Sequence, residues 1–99
     1  MSTMTTASIA AQNTFSDAVR VGKYFNLSIS GTFSATVTAQ RSYDGGTTWY
    51  DVDNWTAPSE EVGYEPEFVW YRAGVKTGAY TSGTVVIRIG RSDPELTRN

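Results

Sequence analysis

Apolar and polar residues alternate with a period of two along most of this chain, the pattern of strands buried on one face. In residues 24–30, YFNLSIS, Phe25, Leu27 and Ile29 fall on one side, and Asn26 and Ser28 on the other. Residues 32–40, TFSATVTAQ, repeat the pattern: Phe33, Ala35, Val37 and Ala39 point inward, and Ser34, Thr36 and Thr38 outward. Ser30-Gly31 between them is a turn signal, so the two segments predict a hairpin. Further strands are expected over 47–52 (TTWYDV), 67–75 (EFVWYRAGV) and 83–90 (GTVVIRIG), the last aligning Val85, Ile87 and Ile89. A weaker strand is expected over 15–21, and no segment reads as a helix.

Short alternating strands with turn signals about every 8–12 residues predict an all-β fold. The connections are too short for parallel crossovers, so the expectation is a single antiparallel β-sandwich, Ig-like or jelly-roll in style. Residues 14–90 form the expected domain. Residues 1–13 and 91–99 are polar and without periodicity, and are expected as an extended N-terminal arm and a C-terminal tail. Residues 53–66 and 76–82 are expected as loops. Neighbours on a strand face opposite sides, so either Trp70 or Tyr71 must point outward. Tyr71 also stands where a tyrosine in Ig-like domains bonds back to a corner.

Composition narrows the function. The chain has 99 residues, enough for one core, and contains neither cysteine nor histidine. Disulfides and thiolate metal sites are thereby excluded, and the commonest general base is missing. A net charge of −2 argues against nucleic acid as a partner. No apolar run approaches the roughly 20 residues that span a bilayer, so no membrane is expected. The first 13 residues lack the pattern of a signal peptide, and synthesis in a cytosol is the expectation.

Two groups of residues invite a chemical reading. Ser42, Asp44, Gly46, Thr48 and Trp49 spell S-x-D-x-G-x-T-W, with Gly45 beside them in the turn; this is the Asp-box that recurs in sialidases and other carbohydrate-active propellers. Its logic is local: an Asp side chain bonds backbone N–H groups within a turn, glycine supplies a positive φ, and the Trp packs on the returning strand. One copy is far short of a propeller, so a structural hairpin is the expectation. Seven of the ten acidic residues lie between positions 44 and 67 with no Lys or Arg among them. A glycosidase pair would need a cleft that so small a domain hardly offers, and a Ca²⁺ site at Asp44, Asp51 and Asp53 lacks the usual loop spacing. The expectation is no enzyme, no cofactor and no metal. Among the many aromatics, Trp55, Tyr64 and Tyr80, with Glu60 and Glu61, are the candidate partner-binding residues, for a protein surface or a glycan.

The run YFNLSISGTFSATVTAQRSYDGGTTWYDV, followed by EPEFVWYRAGVKTGAYTSGTVVIRIG, resembles small β-sandwich proteins encoded among the virion genes of tailed bacteriophages. The resemblance covers roughly residues 21–90. It implies a structural part of the particle without catalytic residues: a capsid decoration (cement) protein on the outer capsid surface, or a tail or fibre module. In the first case the partner is the major capsid protein. The protein would be made in the host bacterial cytoplasm and reside on the virion, and binding at three-fold positions would favour a homotrimer.

Overall fold

A computed structural model describes residues 3–91, and among them there are strands and turns but no helix. The strands are β1 (Thr3–Ile9), β2 (Thr14–Phe15), β3 (Val19–Ser30), β4 (Phe33–Ser42), β5 (Tyr50–Trp55), β6 (Ser59–Gly83) and β7 (Val85–Arg91). All pairings are antiparallel, in the order β1-β7-β3-β6-β4-β5, with β2 also on β6. The all-β antiparallel class is as expected. The strands make one continuous curled sheet, a half-barrel, where two stacked sheets were expected.

The 25-residue β6 is the reason. Its first half, Ser59–Tyr71, pairs with β3, and its second half, Trp70–Gly83, pairs with β4 on the opposite edge. β3 and β4 therefore flank β6 and do not pair with each other. The hairpin expected at Ser30-Gly31 is instead an arch that carries the chain from one side of β6 to the other. A second arch at Gly83-Thr84 runs beside it, joined by the Thr84 N–H donating to the Thr32 carbonyl at 2.9 Å.

Curling closes the inner face around one core. Val21, Ile29, Val37, Val69, Val75, Val85, Ile87 and Ile89 are almost fully buried there, with Phe25, Leu27, Ala39 and Tyr71. Each buried aliphatic side chain contributes about 1.5–3 kcal/mol. The alternation in 24–30 and 85–89 thus read the core correctly, while Phe33 and Ala35 are only half-buried at its margin. Thr38 and Gln40, on the other face of β4, are also buried.

Three segments differ from the expectation. Residues 3–9, placed in an arm, form β1 and pair along β7; the expected tail lies outside the described residues apart from Arg91, which ends β7. Residues 53–66, expected as a loop, supply the end of β5, a short turn and the start of β6. There the hydrophobic pattern is inverted: Glu61, Gly63 and Glu65 stand opposite Leu27, Phe25 and Lys23, while Val62 and Tyr64 face out. Residues 76–82 also continue β6, and register shifts beside Ala35 break their alternation.

Phenylalanine rings and glycines are matched between strands. Three of the four phenylalanines set the side chain against a glycine of another strand: Phe15 on Gly74, Phe25 on Gly63 and Phe68 on Gly22; at Gly83 it is the backbone of Thr32 and Phe33 that comes close. A Cβ on Gly63 would stand 2.5 Å from the Phe25 ring, and one on Gly22 2.6 Å from Phe68. Gly63→Ala is accordingly expected to cost about 1–3 kcal/mol through overpacking, and Phe25→Leu in the same chain to recover part of it. Urea unfolding midpoints of the two variants measure both effects.

Candidate functional surfaces

The Asp-box stretch is a turn built on two side chains. The Ser42 hydroxyl, fully buried, donates to Asp44 Oδ1 at 2.7 Å and accepts from the Gly46 N–H at 2.8 Å. The same Asp44 oxygen accepts the backbone N–H groups of Thr47 (3.1 Å) and Thr48 (2.9 Å). Gly45 and Gly46 take φ of 79° and 103°, open to glycine without strain. The chain then enters β5 only at Tyr50, three residues later than the alternation predicts. Trp49 lies against the Arg72 guanidinium, 4.4 Å from its ring centre, and Phe15 covers the same guanidinium at 4.3 Å. Its anchor is therefore a cation on β6, with part of its ring over Gly46.

Arg72 opens a polar chain across the outer side of β4 and β5. Its Nε donates to Gln40 Oε1 (2.9 Å), Gln40 Nε2 donates to Asp51 Oδ1 (2.8 Å), and Lys76 Nζ donates to Asp51 Oδ2 (2.6 Å). Lys76 first, then Gln40, hold the Asp51 carboxyl below the usual carboxylate range.

A second network lies inside. Glu65, 5% exposed, accepts at Oε2 from Arg41 Nη1 and from the Tyr71 hydroxyl, each at 2.6 Å. Burial, reinforced by the bond to Glu65, pushes the Tyr71 phenol well above its ordinary value. Tyr71 thus points inward and bonds back along its own strand, to a carboxylate, while Phe68 and Trp70 face out.

The five candidate partner residues do not form one site. Trp55 packs at the margin of the core and its indole N–H donates to Glu61 Oε2 at 3.3 Å, bridging β5 and β6. The cleft beside them, also lined by Phe25, Leu27, Ala39 and Tyr71, holds about 130 Å³, below the 300–1,000 Å³ of ordinary small-molecule sites. Glu60 accepts from the Ser28 hydroxyl at 2.7 Å. The Tyr80 hydroxyl donates to the Gly83 carbonyl at 2.8 Å. Tyr64 alone of the aromatic candidates stays open, its ring tilted 57° to that of Tyr24. Asp44, Asp51 and Asp53 do not converge, and among the described residues no group of three acidic side chains is placed to hold a metal ion.

What residue-by-residue reading missed is the outer face of β1, β7, β3 and the first half of β6. Val62 (76% exposed), Tyr24 (72%), Met4 (53%) and Tyr64 (52%) stand out from it. Register places Met4 beside Gly90, Gly90 beside Asn26 and Asn26 beside Val62, with Tyr24 directly opposite Tyr64. Tyr24 shares the side that the alternation in YFNLSIS gave to Asn26 and Ser28. Only the pairing of four strands collects the others around it.

Two outcomes are expected of the polar networks. Glu65→Ala strands Arg41 and Tyr71; because the Arg41 side chain keeps 29% exposure, the cost is about 2–4 kcal/mol, short of a fully buried pair. Tyr71→Phe, which leaves the ion pair intact, costs about 1 kcal/mol, and chemical unfolding ranks the two. The bonds from Thr48, then Ser42, lower the Asp44 pKa from 3.8 to about 2. Folded protein therefore binds fewer protons there than unfolded chain, so this stabilisation is full above pH 4 and is lost as pH falls towards 2. Thermal midpoints across that window should fall more steeply for the wild type than for Asp44→Asn.

Compared with protein-family models, with curated proteins and with solved structures, the chain matches none of them.

Proposed function

We propose that this is a non-enzymatic structural protein of a tailed-phage virion, a decoration protein that binds the outer surface of the capsid and braces the shell. The observation that carries the reading is the group of exposed apolar and aromatic side chains Met4, Tyr24, Val62 and Tyr64, set on one outer face by β1, β3 and β6 around the Arg88–Asn26 pair. Surfaces of this composition are those that proteins bury against partners. The resemblance of residues 21–90 to virion β-sandwich proteins supplies the kind of partner, the major capsid protein.

The disposition of the acids supports a binding role over a glycosidase. Six of the seven carboxylates between positions 44 and 67 already accept a hydrogen bond within the fold, from Ser42, Gln40, Asn54, Ser28, Trp55 and Arg41 in chain order. The contact surface differs from the one expected of the sequence. The acidic segment is consumed by strands, and the tilted Tyr24–Tyr64 pair replaces Trp55 and Tyr80 as the aromatic contact. A tail or fibre module that stacks a glycan is the second reading, and the same tyrosine pair favours it.

The test is co-sedimentation with capsids of its phage assembled without this protein. Saturation at a fixed ratio is expected, and Tyr24→Ser with Val62→Ser should weaken it at least tenfold while the thermal midpoint stays near that of the wild type. A protein that leaves such capsids bare and binds a glycan array through Tyr64 belongs to the second reading.

A further inference from the structure

β1 ends the sheet, and among the described residues nothing pairs with its outer edge. We propose that this edge joins the same edge of a second copy, β1 against β1 about a two-fold axis at Thr6, to make one sheet that runs through both chains.

The register is self-complementary. An axis at Thr6 sets Thr5 opposite Ala7, Met4 opposite Ser8 and Thr3 opposite Ile9, so all seven residues of β1 find a partner. Residues opposite one another in an antiparallel pair share a face. Thr5, Ala7 and Ile9 lie on the core side in each copy, with Thr5 and Ile9 buried and Ala7 packed against the core. The pairing therefore continues the inner face into the inner face, whereas a slip of one residue would set inner against outer.

Charge selects this edge over the other. Residues 3–9, TMTTASI, carry no charge, no proline and no glycine, so the edge lacks the features that ordinarily block strand addition. The opposite edge, β5, carries Asp51 and Asp53. Two-fold pairing of β5 about Asp51, Val52 or Asp53 would set one aspartate against another, and like charges directly opposite are destabilising. Self-association is thus open at β1 and opposed by charge in the central registers of β5. The two outer faces then lie on the same side of the joined sheet, with both Met4 side chains near the axis. This inference stands apart from the capsid reading, and it specifies a two-fold dimer where the resemblance implies a trimer.

Light scattering of the full chain, carried up to about 1 mM to reach the affinities of small interfaces, is expected to approach twice the 10.8 kDa chain mass. The chain has no cysteine, so single cysteines report register cleanly. Opposed residues sit about 4.5–5.5 Å apart at Cα, within disulfide reach. Thr6→Cys should cross-link to itself on mild oxidation. Met4→Cys and Ser8→Cys should each stay largely unlinked alone and cross-link when mixed. Circular dichroism and thermal midpoints verify that each variant folds; Thr6 and Ser8 are exposed and change little in size. A mass of one chain throughout, a mass of three chains, or Thr6→Cys linking no faster than an exposed control at Thr81→Cys would overturn the proposal. The first outcome includes the case in which the chain's own C-terminal residues cover the edge.

Discussion

The bend in β6 between Glu65 and Val69 is the constraint on which the rest of the fold depends. Lys23 stands opposite Glu65 and Val21 opposite Val69, so four residues of β6 are spanned by two of β3, and the excess bulges outward. Pro66 falls in that bulge, where no ladder N–H is needed. Phe68 fills the space over Gly22 and is flanked by Arg20 and Arg91, 4.5 and 5.0 Å from its ring centre. Inside the bend, the Glu65 carboxylate joins Arg41 of β4 to Tyr71 on the far side of the bulge. One buried acid thus ties the two halves of a strand to a neighbour that touches only one of them. Removing it would leave a half-buried cation and a buried hydroxyl without their acceptor, which is why an acid is retained in a core that is otherwise apolar.

Curvature then propagates through aromatic–glycine pairs. A glycine leaves one strand thin at a point, and a phenylalanine on its neighbour fills the gap, so sheet bending and core filling become one event. This also explains the arches. With β6 bent, β3 and β4 lie on opposite edges of the same strand, and the connections at Ser30-Gly31 and Gly83-Thr84 must cross rather than turn back. Only β4 and β5 are neighbours both in sequence and in the sheet. Most pairings are therefore distant in sequence, a topology that folds slowly because loops must close before the contacts form.

The same economy governs the surface. Carboxylates that a residue count would offer for chemistry are spent on holding turns and strands: Asp44 on the hairpin, Asp51 on Lys76 and Gln40, Glu61 on Trp55. The unspent features are the exposed apolar outer face and the uncharged edge beside it. Both belong to association, and both lie on the half of the sheet formed by β1, β7, β3 and the start of β6. The opposite end carries its own charges on β5.

The sequence by itself determined the local chemistry. Alternation in 24–30 and 85–89 named the core face, because burying every second side chain is what a strand in a half-buried sheet requires. Ser42, Asp44 and the two glycines determined their turn, since each bond lies within a few residues. Tertiary structure decided what those strands pair with. The stretch SEEVGYEP was legible only as a loop, because its inward positions hold Glu, Gly and Glu. They become a strand when Phe25 fills the place of a missing side chain, Trp55 meets Glu61, and Arg41 with Tyr71 meets Glu65. Residues 3–9 likewise carry too few large apolar side chains to announce a strand, and β7 makes one of them. A pattern of single residues records burial; it holds no record of the partner that makes burial of an acid, or pairing of an edge, favourable.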